Sequence, residues 1–261
     1  MSQSSGQLAA GSTVVTVDHV SLDYYKEKEP LPVLSDLSLT ACKDELVAVT
    51  GPSGCGKSTL LRIIGGLIKP TSGEVKVLDS VVTAPRDDIS MVFQNFVLLP
   101  WRTALENVLF GLDSRKDLSD AQKKAKAESA LEIAGLSGFE SVYPGELSGG
   151  MKQRVGVARA LATDPQVMLL DEPFSSLDDL TAERLRKETY TLLISPQTSV
   201  QTVILVSHNV EEIIELADKA IVLSARPAHV VGELRVDLPR PRNKKSDEFF
   251  QWVDKVYSLL S

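Results

Sequence analysis

Residues 45–59 read Glu45-Leu46-Val47-Ala48-Val49-Thr50-Gly51-Pro52-Ser53-Gly54-Cys55-Gly56-Lys57-Ser58-Thr59. The first six form a short, nearly continuous apolar run, the pattern of a strand buried on both faces. Gly51 to Gly56 then breaks the chain. From Lys57 to Gly65 the apolar residues Leu60, Leu61, Ile63 and Ile64 recur at helical spacing. Strand, glycine loop and helix in this order match G-x-x-x-x-G-K-[ST] in the context that motif needs. Glycines let the backbone curl until successive N–H groups point inward at an anion. The helix that follows presents its positive end to the same anion.

The expected ligand is the phosphate tail of a nucleoside triphosphate. Gly51, Pro52, Ser53, Gly54, Cys55, Gly56, Lys57, Ser58 and Thr59 form the cradle, with Lys57 between the β- and γ-phosphates and the Ser58 hydroxyl available to Mg²⁺. Cys55 occupies a variable cradle position and reads as a small filler rather than a redox brake.

Working outward, strand patterns cover 13–25, 31–40, 75–78, 89–93, 166–170, 202–206, 220–223 and 230–236. Helical patterns cover 104–110, 120–134, 180–192, 210–217 and 247–260, and another helix opens at Ser148, a plausible N-cap. Strands alternate with helices, which predicts an α/β fold around a mostly parallel, doubly wound sheet. A helical block of about 95–160 interrupts the alternation and reads as an inserted subdomain. Residues 1–12 read as a frayed, flexible terminus, and 13–261 as one domain.

A second acidic site stands at the end of the run Val167-Met168-Leu169-Leu170-Asp171-Glu172. Acids at the carboxyl end of a strand sit where ligands bind in open α/β sheets. Asp171 is placed to hold Mg²⁺, and Glu172 to polarise an attacking water.

Leu147-Ser148-Gly149-Gly150-Met151-Lys152-Gln153-Arg154 resembles the signature sequence of ABC ATPases. The resemblance covers roughly 13–240. It implies the ABC ATPase fold: a P-loop NTPase with a RecA-like core, an antiparallel β subdomain and the inserted helical subdomain. It implies that Leu147, Ser148, Gly149, Gly150, Met151 and Gln153 bind ATP held by a partner subunit. Gln94 matches the Q-loop glutamine, a contact for Mg²⁺ and water. Ser175-Ser176-Leu177-Asp178 matches the D-loop, which crosses the dimer interface, and His208 the switch histidine on the γ-phosphate. Tyr24, with Tyr25 as its rival, stands where the family stacks an aromatic on adenine. One departure is Asp44, where the family often has Gly. Lys57, Gln94, Glu172 and His208 are the implied catalytic set, ATP and Mg²⁺ the cofactors, and a homodimer the active form.

Three readings of such an ATPase compete: an importer subunit, a soluble clamp on nucleic acid, ribosome or iron–sulfur machinery, and a regulatory module. Intact catalytic positions weigh against the last. Only ordinary domain lies between Gly51 and Leu147, without the long coiled coil of chromosome clamps. Gln94 to Val108, with Leu99-Pro100-Trp101, looks like the Q-loop stretch of nitrate, sulfonate and taurine importer ATPases, and Val222 to Pro227 resembles the same subgroup. Trp101 reads either as a core residue or as part of a groove for a membrane subunit. Integral permease subunits and an extracytoplasmic binding protein are the implied partners, at the cytoplasmic face of a membrane.

The formal net charge of -7 lacks the basic field of a non-specific nucleic-acid binder, and no nucleic acid is expected. The run Pro239 to Lys245 reads as a solvated connection. Two cysteines without CxxC spacing give neither a metal cluster nor a disulfide framework. The absence of Lys and Arg from residues 1–25 argues against a signal peptide, and no apolar window is long enough to span a membrane.

Overall fold

The structure, a computed structural model, describes residues 11–261 apart from 28, 95, 176–178, 194 and 196. All but the last two residues of the 1–12 stretch lie outside it. The elements are β1 (Thr13–Lys26), β2 (Glu29–Cys42), β3 (Glu45–Thr50), α1 (Lys57–Ile64), β4 (Ser72–Val77), β5 (Ser80–Val81) and β6 (Ile89–Val92). Helices α2 (Ala104–Phe110) and α3 (Asp120–Ile133) follow, then a 3₁₀ turn (Pro144–Glu146), α4 (Gly149–Leu161), β7 (Val167–Asp171) and α5 (Asp179–Leu193). The chain ends with β8 (Thr202–Val206), α6 (Val210–Leu216), β9 (Lys219–Leu223), β10 (Val230–Arg235) and α7 (Asp247–Leu260).

Two sheets form. The larger has the order β10-β9-β3-β8-β7-β6. Its strands β9, β3, β8, β7 and β6 are parallel, and β10 closes one edge antiparallel to β9. The smaller sheet, β2-β1-β4-β5, is antiparallel.

Strand β3 lies at the centre, and all six of its residues are buried. Its alternating side chains serve two cores, as the period of a strand requires. Val47 and Val49 join the cluster that unites the small sheet with α1. Leu46 and Ala48 face the opposite cluster, with Ile213 and Ile214 of α6 and Phe249, Val253 and Val256 of α7. Helices α2, α3 and α4 build a third cluster from Val108, Leu131, Val155 and Ala158. Helix α4 bridges two cores, because Val157 and Leu161 turn to the sheet instead.

Asp44 adopts φ +62°, a left-handed conformation that Gly takes freely and Asp tolerates better than most residues. That accounts for Gly being the usual choice at this turn.

The basic segment is a correction. Pro239, Pro241, Asn243 and Lys245 are exposed as a solvated connection would be, but Arg240 and Arg242 clamp the end of α6. Arg240 donates to Asp218 Oδ1 (2.6 Å) and the Leu216 carbonyl (2.6 Å), and stacks over the Tyr190 ring at 4.8 Å. Arg242 Nη1 donates to the carbonyls of Ile214 (2.7 Å) and Ala217 (2.6 Å) at the end of α6. Cations at a helix C-terminus satisfy its orphan carbonyls. Burial lowers the Arg242 pKa to about 10, which leaves it charged at neutral pH.

Candidate active site

The carboxyl ends of the five parallel strands point to one edge of the large sheet, and each delivers site residues. β3 runs into the cradle, β6 into Gln94, β7 into Asp171 and Glu172, β8 into His208, and β9 into the loop carrying Arg226. This convergence follows from parallel strands of one sheet, whose loops share an edge.

In the cradle, Gly54 and Gly56 have φ of +74° and +126°. A Cβ on Gly56 would lie 2.8 Å from Leu34 Cδ2 and 3.0 Å from Val33 Cγ1, so β2 stands directly behind the loop. The cradle is thus backed by a wall that admits only glycine there. Lys57 is buried, and its Nζ donates to the carbonyls of Gly51 (2.8 Å) and Pro52 (3.0 Å). These bonds hold the ammonium inside the curl of the loop. Cys55 is fully buried, in keeping with a filler.

Ser58, the second residue of α1, donates its hydroxyl to Asp171 Oδ1 at 2.7 Å. Burial pushes the Asp171 carboxyl above its usual range. The Ser58 hydrogen bond and Arg62 oppose that shift, and the nearby Glu172 adds to it. One hydroxyl and one carboxylate, both oxygen donors beside a phosphate cradle, suit Mg²⁺, which takes few protein ligands and completes its shell from phosphate and water.

Glu172 leaves β7 with φ +46°. That backbone is sparsely populated for a residue with a side chain, and it turns Glu172 away from the course of the strand. Its Oε2 accepts from Gln94 Nε2 (3.3 Å) and lies 3.2 Å from His208 Nδ1. Gln94 Nε2 also donates to Ser175 Oγ (3.1 Å), which donates to the Glu172 carbonyl (3.0 Å). Three residues singled out separately in the sequence thus meet at one carboxylate.

A cleft of about 400 Å³ opens between them, lined by Ser53, Gly54, Gly56 to Thr59, Glu172, His208 and Arg226. Arg226 was not singled out as a site residue from sequence. Its guanidinium hydrogen-bonds to the Gly54 carbonyl from across the cleft. The available signal was the cation in Ser224-Ala225-Arg226-Pro227 directly after a core strand. Tyr24 lies on β1 opposite Leu31, partly exposed and outside the lining of the cleft; Tyr25 is more exposed.

The signature residues do not line this cleft. Ser148 caps α4, accepting from the Met151 N–H at 3.3 Å. Leu147 is buried in the helical cluster, and Gly149 and Gly150 form the first turn of α4. Gln153 is fully buried, with both amide atoms lacking hydrogen-bond partners among the described residues. Ser176, Leu177 and Asp178 lie outside the described residues.

A second, more apolar groove of about 650 Å³ runs past Leu67, Phe93, Val97, Leu99, Phe110 and Arg159. Arg159 braces it by donating to the carbonyls of Phe96 (2.5 Å) and Val97 (2.9 Å). Trp101 is 71% exposed and so is not a core residue. It stands on a loop pinned by buried Asn107, whose Oδ1 accepts from Leu99 N–H and whose Nδ2 donates to the carbonyls of Leu99, Arg102 and Thr103. Among the described residues no helix is long and apolar enough to cross a membrane.

The profile of the family described as ABC transporter matches residues 34–175, more than half of the chain. This chain belongs to the ABC transporter family. The ABC cassette is an ATPase that binds ATP. It is 42% identical to a nitrate import ATP-binding protein of Synechocystis over 87% of each chain. It is 40% identical to the bicarbonate transport ATP-binding protein of the same organism, over 88% of this chain and 81% of that one. An aliphatic sulfonates import ATP-binding protein of Bacillus cereus is 39% identical over 93% and 94%. Among solved structures, a dimeric post-hydrolysis ATP-binding cassette bound to ADP and Pi superposes with a TM-score of 0.72 at 33% identity. The match covers 86% of this chain and all of that one.

Proposed function

We propose that this cassette is the ATP-hydrolysing subunit of an importer for a small anion such as nitrate, a sulfonate or taurine. Two copies close on MgATP and drive separate membrane subunits. The observation that carries the proposal is the meeting of Gln94 and His208 on Glu172, across the cleft from Lys57 and Ser58. A purely regulatory module, which needs no turnover, has no use for that arrangement.

In this reading the cradle N–H groups and Lys57 hold the phosphate tail, and Tyr24 stacks on adenine. Ser58 and Asp171 hold Mg²⁺, with Gln94 reaching the ion and the attacking water. Bound Mg²⁺ neutralises charge on the β- and γ-oxygens. Glu172 accepts the proton of that water, and Gln94 and His208 fix its position and the γ-phosphate. Phosphoryl transfer asks mainly for such positioning and charge stabilisation.

The signature face completes the site from the second copy. Its support is that Ser148, Gly149 and Gly150 cap a helix away from their own chain's cleft, while a similar cassette is described as dimeric. A two-fold arrangement then closes both sites together. Helices α2 to α4, within about 95–160, act as the inserted subdomain that carries the signature.

The apolar groove and exposed Trp101 form the docking place for a permease subunit at the cytoplasmic face, and a binding protein outside delivers the anion. The relatives' cargoes, nitrate, bicarbonate and sulfonates, are all small oxyanions. Capture of the chain from gently solubilised native membranes, followed by mass spectrometry, tests the importer reading. A stoichiometric multi-spanning partner is expected. Recovery with soluble partners alone would contradict it.

A further inference from the structure

The segment Ser207–Asn209, which carries His208 from β8 to α6, is held by groups that the mechanism above leaves unused. The Ser207 N–H donates to the Val49 carbonyl at 3.2 Å. The Ser207 hydroxyl accepts from the Asn209 N–H (3.0 Å) and donates to Glu212 Oε2 (3.2 Å). The Asn209 side chain accepts from the Glu212 N–H at 3.1 Å, capping α6. His208 is therefore flanked by two residues tied to the same glutamate, one through its side chain and one through its backbone.

Glu212 is an expensive choice for that place. It lies on α6 and is 4% exposed. Its Oε1 has no hydrogen-bond partner among the described residues. Arg186 of α5 comes no nearer than 3.9 Å to Oε2 and divides its charge with Glu215, at 3.4 Å. Glu215 also takes Lys244 at 2.6 Å. Burial pushes the Glu212 carboxyl up to about 7. Glu215 and Glu172 add to the shift, and Arg186 and the Ser207 hydrogen bond oppose it. A buried ion pair this loose contributes little to stability, so the residue's use lies in what its oxygen fixes.

We propose that Glu212 is a positioning residue for ATP hydrolysis: its Oε2 fixes the Ser207 hydroxyl, which fixes the Asn209 peptide and so aims His208 at Glu172 and the γ-phosphate. The inference rests on the reading of His208 given above. What Glu212 must supply is an acceptor oxygen at that point, and its charge is incidental. An amide carbonyl replaces it and an alkyl group does not. A misaimed histidine lowers the rate of the chemical step, since small misplacements are costly there. ATP affinity, set by the cradle, stays.

The test compares Ser207→Ala, Glu212→Leu, Glu212→Gln and His208→Ala in steady-state MgATP hydrolysis, with melting temperature at pH 8. Ser207→Ala and Glu212→Leu are expected to lower kcat at least about tenfold with KM changed less than about threefold. Glu212→Gln retains most of the rate and melts no lower than the unchanged protein. Ser207→Ala removes the other end of the same bond with little change of volume, and so serves if Glu212→Leu does not fold. A kcat for Ser207→Ala within twofold of normal overturns the proposal, as does a Glu212→Gln variant as slow as Glu212→Leu. If His208→Ala itself leaves kcat unchanged, the reading of His208 fails, and this inference with it. If His208→Ala is slow while Ser207→Ala is not, only the positioning role falls.

Discussion

Glu172 stands one residue beyond the buried end of β7, with a backbone conformation that brings its carboxylate to Gln94 and His208. In the proposed function Glu172 is a positioned base, so its removal should be felt in turnover and not in binding. Glu172→Gln is expected to keep ATP affinity while cutting kcat at least about a hundredfold. Turnover within threefold of normal would remove the base assignment. Lys57→Ala should abolish nucleotide binding, read by a fluorescent ATP analogue; unchanged affinity would contradict the cradle. Glu212 provides a pH signature. Its folded pKa, about 7, lies above the ordinary 4.5, so the native state holds that proton more tightly than the unfolded chain. The resulting stabilisation is complete below about 4.5 and is lost as pH rises through 7. The melting temperature should fall between pH 5.5 and 8, and less steeply in Glu212→Gln. Equal slopes would show that Glu212 titrates normally.

At the scale of elements, the parts legible in the sequence were those where one physical constraint dominates. β3 and α1 announce themselves because a strand buried on both faces must be apolar throughout and the cradle must be glycine-rich. Ser148 was readable as a cap because its hydroxyl has a local partner, the Met151 N–H. Trp101 was not readable, since burial is decided by the tertiary wrapping of the 99–103 loop around Asn107. Nor was the clamp of Arg240 and Arg242, whose carbonyl partners lie some twenty-five positions earlier at the end of α6. Glu212 escaped notice because a charge on a short amphipathic helix ordinarily faces water. The Asn107 knot yields its own prediction. Asn107→Ala loses four hydrogen bonds to the loop and should cost on the order of 2–3 kcal/mol. It should loosen Trp101, read as lower fluorescence anisotropy, while ATP binding persists. An unchanged melting temperature would mean the loop holds without it.

Across the whole molecule, the parallel sheet gathers five strand ends at one edge, and that gathering makes one cleft from residues spread between Ser53 and Arg226. The same architecture sets the signature at the start of α4, outside its own chain's cleft, and in the proposed function a second copy supplies it to the site. The apolar groove lies apart from the cleft, and in the proposed function that face and exposed Trp101 meet a membrane partner. Trp101→Ala with Phe110→Ala should weaken recovery of a membrane partner severalfold while leaving ATP hydrolysis by the isolated cassette within twofold. The most direct test of the two-copy site is the solution mass of Glu172→Gln by light scattering, with and without saturating MgATP. A shift from the chain mass to twice that mass on adding MgATP is the expected result; a nucleotide-loaded protein that stays at the mass of one chain would contradict the account.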